Sequence, residues 1–100
     1  SIGDNHLGGW YAYRASKAAQ NMLMRTFAIE WRRLNQQSIC VLLHPGTTDT
    51  LLSAPFQANV PDGKLFSAEF VAQRLLAVIA ERTPADSGNF YAWDGATIPW

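Results

Sequence analysis

The 100-residue sequence is poor in several features, and each shortage closes off a class of function. It has one cysteine, Cys40, so neither an intramolecular disulfide framework nor a multi-cysteine zinc site can form. With no disulfides, a reducing cytoplasmic compartment is the expectation. Neither sign of charge is in excess, since Lys+Arg is 8 and Asp+Glu is 8. Neutralising phosphates needs a basic surplus, so nucleic acid is not expected as a partner. Nor is there a polybasic anchor for an anionic membrane. No apolar run reaches the roughly 18 to 20 residues that span a bilayer. No secretory leader is read at its start, and no Asn-x-Ser/Thr acceptor occurs.

What is present is apolar and aromatic. Hydrophobic residues make up 48%, and there are five Phe, four Trp and three Tyr. A domain this small buries only about 60–65% of its unfolded surface. The aromatics therefore either fill a dense small core or expect a surface outside these residues.

Along the chain, residues 1–10 read as a loop, with Asp-Asn and Gly-Gly as turn formers. From Tyr11 the pattern changes. Ala15, Ala18, Ala19, Met22, Leu23, Phe27 and Ile29 recur mostly at three- and four-residue spacing, predicting a helix that runs to Arg33 or Leu34. Arg32 and Arg33 suit its last turn. Ser38–His44 is a short apolar run closed by Pro45-Gly46, which suggests a strand covered on both faces. Residues 45–66 read as a long irregular loop with a helical turn near Leu51–Phe56. Ser67 offers an N-cap for a second helix reaching Arg82, with Glu69 in its first turn. Phe70, Val71, Leu75, Val78 and Ile79 form its apolar side. Residues 84–88 form a turn, and Asn89–Trp93 a short aromatic strand. The fold class is α/β, in which strand, crossover helix and strand form a parallel βαβ unit.

One pattern carries chemistry. Tyr13 and Lys17 are four residues apart and share one face of the first helix. An ammonium beside a tyrosine hydroxyl stabilises the phenolate, which makes such a pair a usable general acid and base. Tyr-x-x-x-Lys is also an ordinary pair of helix neighbours, so its context decides. The pair opens a long Ala-rich helix, and about ten residues beyond that helix an apolar strand ends in His44-Pro45-Gly46. The carboxyl ends of parallel strands are where α/β sheets bind ligands.

The run Gly8-Gly9-Trp10-Tyr11-Ala12-Tyr13-Arg14-Ala15-Ser16-Lys17 carries a family resemblance, together with Leu42–Thr50 and the ending Tyr91–Gly95 and Ile98–Trp100. The sequence resembles the C-terminal part of a short-chain dehydrogenase/reductase of the C-factor-like and carbonyl-reductase-like branch. That resemblance implies a Rossmann-type doubly wound parallel sheet. Residues 1–100 would be the C-terminal catalytic part of a single NAD(P)-binding domain, with the dinucleotide-binding half upstream. It implies NAD or NADP as cofactor and a small carbonyl or alcohol as substrate. Tyr13 would exchange a proton with the substrate oxygen. Lys17 would favour the ionised tyrosine and hold the ribose hydroxyls. Pro45 and Gly46 would lie against the nicotinamide, and the backbone at Thr48 and the hydroxyl of Thr50 would hold the carboxamide and a nearby phosphate. Segment 51–66 would be the substrate-closing loop.

Two features depart from the family pattern. The glycine-rich dinucleotide fingerprint is absent, and the catalytic serine is not evident. Ser1 precedes Tyr13 by a suitable distance, but a plain loop serine is the favoured reading. Alone, such a chain is expected to be inactive, and either marginally stable or oligomeric. Helix 12–33 is a candidate for pairing two copies, with Arg25, Glu30, Arg32 and Arg33 making its outer side polar. The alternative is a non-catalytic αβ interaction module, or a cofactor-sensing signalling protein of the same fold.

Other residues have plainer expectations. Tyr11 is a wall residue. Arg14 is structural or solvated, and Ser16 packs within the helix. His44 is a hydrogen-bonded structural histidine, and no metal site is expected. Asp49 is a candidate cap for the following helical turn, and Cys40 is a buried filler. Trp31, Trp93 and Trp100 serve core or interface.

Overall fold

The computed structural model describes all 100 residues, Asn59 by its backbone only. Helix α1 spans Tyr11–Leu34, 24 residues. Strand β1 is Leu42–His44, β2 is Thr47–Thr48 and β3 is Leu65–Phe66. Helix α2 is Ala68–Ala80 and strand β4 is Phe90–Ala92. Short 3-10 helices cover Ala54–Asn59 and Pro84–Asp86.

The expected βαβ unit is there. Strands β1 and β4 run parallel, with Leu42, Leu43 and His44 opposite Phe90, Tyr91 and Ala92, and α2 lies between them in sequence. The loop between the two strands is more ordered than its sequence suggested. Residues 45–66 contain a second parallel pair, β2 with β3, placing Thr47 opposite Leu65 and Thr48 opposite Phe66. Two residues per strand leave no alternation for a sequence pattern to reveal. The helical turn also falls later than Leu51–Phe56, at Ala54–Asn59.

Local chemistry sets the helix ends. Ser67 Oγ accepts the Phe70 N–H at 3.2 Å and Glu69 sits in the first turn of α2, an N-cap with an acidic residue on the positive end of the dipole. Helix α1 ends with Arg32 and Arg33 in its last turn and Asn35 in extended geometry beyond it. Its start is unusual. Trp10 precedes it with φ 53° and no side-chain cap, and the Arg14 N–H bonds the Trp10 carbonyl at 2.9 Å.

The core lies under α2. Leu42, Val71, Val78, Phe90 and Tyr91 are buried there, and Ala28 is the buried residue of α1. The stripe of α1 that turns inward is Arg14, Ala18, Asn21, Arg25 and Ala28, at helical spacing. Most of the apolar stripe seen in the sequence faces away instead, with Met22, Leu23, Phe27 and Ile29 exposed. Arg25 is not on the outer side either. Its guanidinium donates to the Gly88 carbonyl at 2.8 Å.

A polar knot ties the end of α2 to β4. The Asp86 carboxylate accepts the Thr83 N–H at 2.8 Å and the Tyr91 hydroxyl at 3.2 Å, while Arg82 lies 4.4 Å from the Tyr91 ring centroid. The Thr83 N–H foremost, then Tyr91 and the Arg82 charge, holds Asp86 below the ordinary carboxylate range despite some desolvation. Cys40 is half-buried, and desolvation pushes its thiol up.

Candidate active site

Tyr13 and Lys17 lie on the first two turns of α1, as their spacing requires. The Lys17 ammonium stands 5.7 Å from the Tyr13 ring centroid. Lys17 makes one long contact, to Gln20 Oε1 at 3.5 Å. Among the described residues neither the Tyr13 hydroxyl nor the Lys17 ammonium has an acidic partner. Both residues line a cleft of about 500 Å³, together with Ser1, Asn5, Arg25 and Trp100. Ser1 Oγ accepts the Asp4 N–H at 3.0 Å.

The second group of expected site residues sits at the carboxyl end of β1. Gly46 has φ 72°, and a Cβ there would lie 2.9 Å from Phe66 and 3.2 Å from Trp93. The Pro45-Gly46 turn is therefore seated on an aromatic cluster. Phe66, Phe70 and Trp93 lie 4.7 to 5.6 Å apart by ring centroid. Trp93 thus belongs to this small core. Trp31 stacks on Phe27 and Trp100 on Phe90.

Thr48 and Thr50 flank a polar latch. Ser53 Oγ donates to the Thr48 carbonyl, and accepts the Thr50 N–H at 3.2 Å and the Gln57 amide at 3.0 Å. Gln57 also donates to Asp49 Oδ1 at 3.0 Å. Asp49 thus holds Gln57 and does not cap the turn; the residue before the 3-10 helix is Ser53. The Thr48 hydroxyl is buried with no hydrogen-bond partner among the described residues. An unmet buried hydroxyl costs about 1–3 kcal/mol, so a ligand group that accepted from it would be favoured there. That unfilled donor and the Gly46 corner lie at the carboxyl end of β1, while the Lys17 ammonium lines the separate cleft.

His44 ends β1, and its Nδ1 accepts the Gly46 N–H at 3.4 Å, the structural role expected of it. The residue is exposed, but its ring faces Phe90 at 6.4 Å. Desolvation foremost pushes its pKa below the usual histidine value. Among the described residues no group of three or more His, Cys, Asp or Glu could hold a metal ion, and no helix is long and apolar enough to cross a membrane.

The structure brings Tyr13 and Lys17 together in one cleft, and Pro45, Gly46, Thr48 and Thr50 together in one corner. The residues lining the cleft do not include that corner. A contact absent from the sequence reading joins the two regions. The Trp10 ring lies 6.3 Å from Tyr13 and 5.4 Å from Phe56, the latter in the 3-10 helix that follows Thr50. Arg14 has the structural role expected of it, donating to the Gly9 and Gly8 carbonyls. Ser53 was missed as an organiser, and the Thr50/Ser53 spacing was the available signal for it.

No protein-family model matches the chain. Over all of its length the chain is 37% identical to the C-signal of Myxococcus xanthus, covering 55% of that protein. It is 38% identical to the 1-hydroxy-2-glutathionyl-2-methyl-3-butene dehydrogenase of Rhodococcus sp. (strain AD45), covering 42% of it. The chain therefore spans about half the length of the curated relatives it matches. Among solved structures, the NADPH-bound carbonyl reductase from chicken fatty liver superposes on the whole chain with a TM-score of 0.83 and 32% identity, over 38% of that enzyme.

Proposed function

We propose that the chain belongs to the short-chain dehydrogenase/reductase family, and that residues 1–100 are the C-terminal catalytic part of an NAD(P)-dependent oxidoreductase acting on a small carbonyl or alcohol. The observation that carries the proposal is the Tyr13/Lys17 pair, a phenol and an ammonium 5.7 Å from its ring with no acidic partner among the described residues, both lining one cleft.

In this reading the Tyr13 hydroxyl donates its proton to the carbonyl oxygen during reduction and takes it back during oxidation. Lys17 stabilises the phenolate left behind and donates to the ribose hydroxyls. The Pro45-Gly46 corner, backed by Phe66 and Trp93, lies against the nicotinamide. The backbone at Thr48 holds the carboxamide, and the Thr50 hydroxyl donates to a phosphate oxygen. The bound dinucleotide supplies the hydride; the protein's part is position and proton.

The test uses the full-length protein. Purified with NADPH or NADH it should reduce a simple aldehyde, and Tyr13→Phe should abolish turnover while cofactor binding, read by fluorescence, persists. Equal turnover in the variant would overturn the assignment of the acid. The isolated 100-residue chain should be inactive with the same reagents. The likeness to the C-signal favours one second reading, in which the same site binds cofactor for signalling without much turnover. A biological output unchanged by Tyr13→Phe would select it.

A further inference from the structure

The sequence has two Asp-Gly steps, Asp62-Gly63 and Asp94-Gly95, and the fold treats them differently. Such a step carries a latent reaction. The backbone nitrogen after an aspartate can reach that residue's own side-chain carboxyl and close a five-membered ring. Glycine permits this best, because no Cβ obstructs the attacking nitrogen and the backbone turns freely. Whether the ring closes depends on whether the amide and the carboxyl are already held.

At Asp94-Gly95 both are held. The Gly95 N–H donates to the Ala92 carbonyl at 2.9 Å, and Asp94 Oδ1 accepts the Ala96 N–H at 3.0 Å. The turn also rests on the core, since a Cβ on Gly95 would lie 4.0 Å from the buried Val78. Asp62-Gly63 is the opposite case. Residues 61–64 form a turn closed by the Lys64 N–H on the Pro61 carbonyl at 3.0 Å, with Gly63 at φ 76°. That closing bond leaves the central amide out of the turn's own hydrogen bonding. Among the described residues neither the Gly63 N–H nor the Asp62 carboxylate has a hydrogen-bond or ion-pair partner. All four turn residues are exposed, and a Cβ on Gly63 would meet nothing within 4 Å.

We propose that Asp62 is a site of spontaneous isomerisation to isoaspartate. The Gly63 nitrogen attacks Cγ of the protonated Asp62 carboxyl. A C–N bond forms, a C–O bond breaks, and the hydroxyl leaves as water with the amide proton. Solvent water then opens the ring. Addition at Cγ restores aspartate. Addition at the main-chain carbonyl carbon breaks that carbon's bond to nitrogen and leaves isoaspartate, with a free main-chain carboxyl. The chain then runs through the former side chain and is one methylene longer, at unchanged mass. The lengthened link lies just before β3, whose Phe66 backs the Gly46 corner. Conversion therefore loosens the pairing of β2 with β3.

The test ages the full-length protein at neutral pH and physiological temperature. Methyl transfer from S-adenosylmethionine by an isoaspartyl carboxyl methyltransferase counts isoaspartate. Trypsin, cutting after Lys64, Arg74 and Arg82, puts the two steps on different peptides. Isoaspartate should accumulate at Asp62 at least about 10-fold faster than at Asp94, where hydrogen bonds must first open. Asp62→Glu, which would need a larger ring, should abolish the signal on its peptide, and Gly63→Ala should slow it. Aged wild type should melt lower than fresh protein, and aged Asp62→Glu should not. No signal at Asp62, or equal rates at the two steps, overturns the site. Conversion with an unchanged melt overturns its coupling to β3.

Discussion

The layer of α2, β1 and β4 and the long helix α1 treat their apolar residues in opposite ways. In the first, Leu42, Val71, Val78, Phe90 and Tyr91 are buried, although Phe70, Leu76 and Ile79 of α2 stay exposed, and the Asp86–Tyr91–Arg82 knot locks the edge. In the second, 24 residues bury only Ala28. The packed layer carries the Gly46–Thr48 corner, seated on Phe66 and Trp93. The uncovered helix carries Tyr13 and Lys17. In the proposed reading, a proton-handling phenol must be reachable, whereas a turn that shapes a ligand pocket must be rigid. The difference also bears on α1's outward apolar residues, Met22, Leu23 and Phe27. In the proposed reading the remainder of the protein or a second copy covers them, in keeping with relatives about twice this length.

The largest expected effect separates chemistry from stability. In the full-length protein, Tyr13→Phe should lower kcat/KM by about 10²- to 10⁴-fold. Its melting temperature should stay the same, because Tyr13 is 60% exposed. A melt that dropped together with activity would show that the helix start is structural.

Next in size is the packed layer itself. Val78→Ala deletes two methyl groups at a site 2% exposed and should cost about 2–3 kcal/mol in denaturant unfolding. Leu23→Ala is the sharper comparison, since Leu23 is 70% exposed here. In the 100-residue chain it should change stability by less than about 0.5 kcal/mol. In the full-length protein, with α1 covered, it should cost about 2 kcal/mol. Equal small effects in both would show that the outer face of α1 stays in water.

Gly46 and Gly63 compare a filled corner with an open one. Both have positive φ, but a Cβ on Gly46 meets Phe66 and Trp93 while one on Gly63 meets nothing. Gly63→Ala should cost about 1 kcal/mol from backbone conformation alone. Gly46→Ala should cost about 1–3 kcal/mol and weaken cofactor binding too. Equal costs by thermal melting would mean that the aromatic cluster moves freely.

The smallest effect concerns pH. Asp86 has its folded pKa lowered, chiefly by the Thr83 N–H. Its contribution is therefore present above the ordinary carboxylate pKa and lost as pH falls through the lower folded value. Asp86→Asn should lower the melting temperature at neutral pH and flatten the loss of stability below about pH 4. An unchanged acid limb would assign that loss to other carboxylates.

Much of this was legible in the sequence because it depends on local spacing. Ser67 caps α2 as read, and the parallel pairing of β1 with β4 follows from a strand, a helix and a strand in order. The Tyr13/Lys17 pair follows from a four-residue step on any helix. The errors came where the partner is distant in sequence. The inward face of α1 is set by what it meets, so Arg25 turns in to reach Gly88 while Leu23 and Phe27 face out. The β2–β3 pair is too short to have a period. Asp49 chose the Gln57 amide over a helix N-terminus.

The sequence by itself determined the helices, the two flanking strands and the pairing of a phenol with an ammonium, because backbone geometry and side-chain periodicity act over a few residues. Only the tertiary structure decided which groups stay unsatisfied and which rings meet. The Thr48 hydroxyl is left orphaned, while the Gly46 corner under Phe66 and Trp93 and the Trp10–Phe56 contact join residues 20 to 47 positions apart. Such contacts depend on how the elements are brought together in space, which no local pattern encodes.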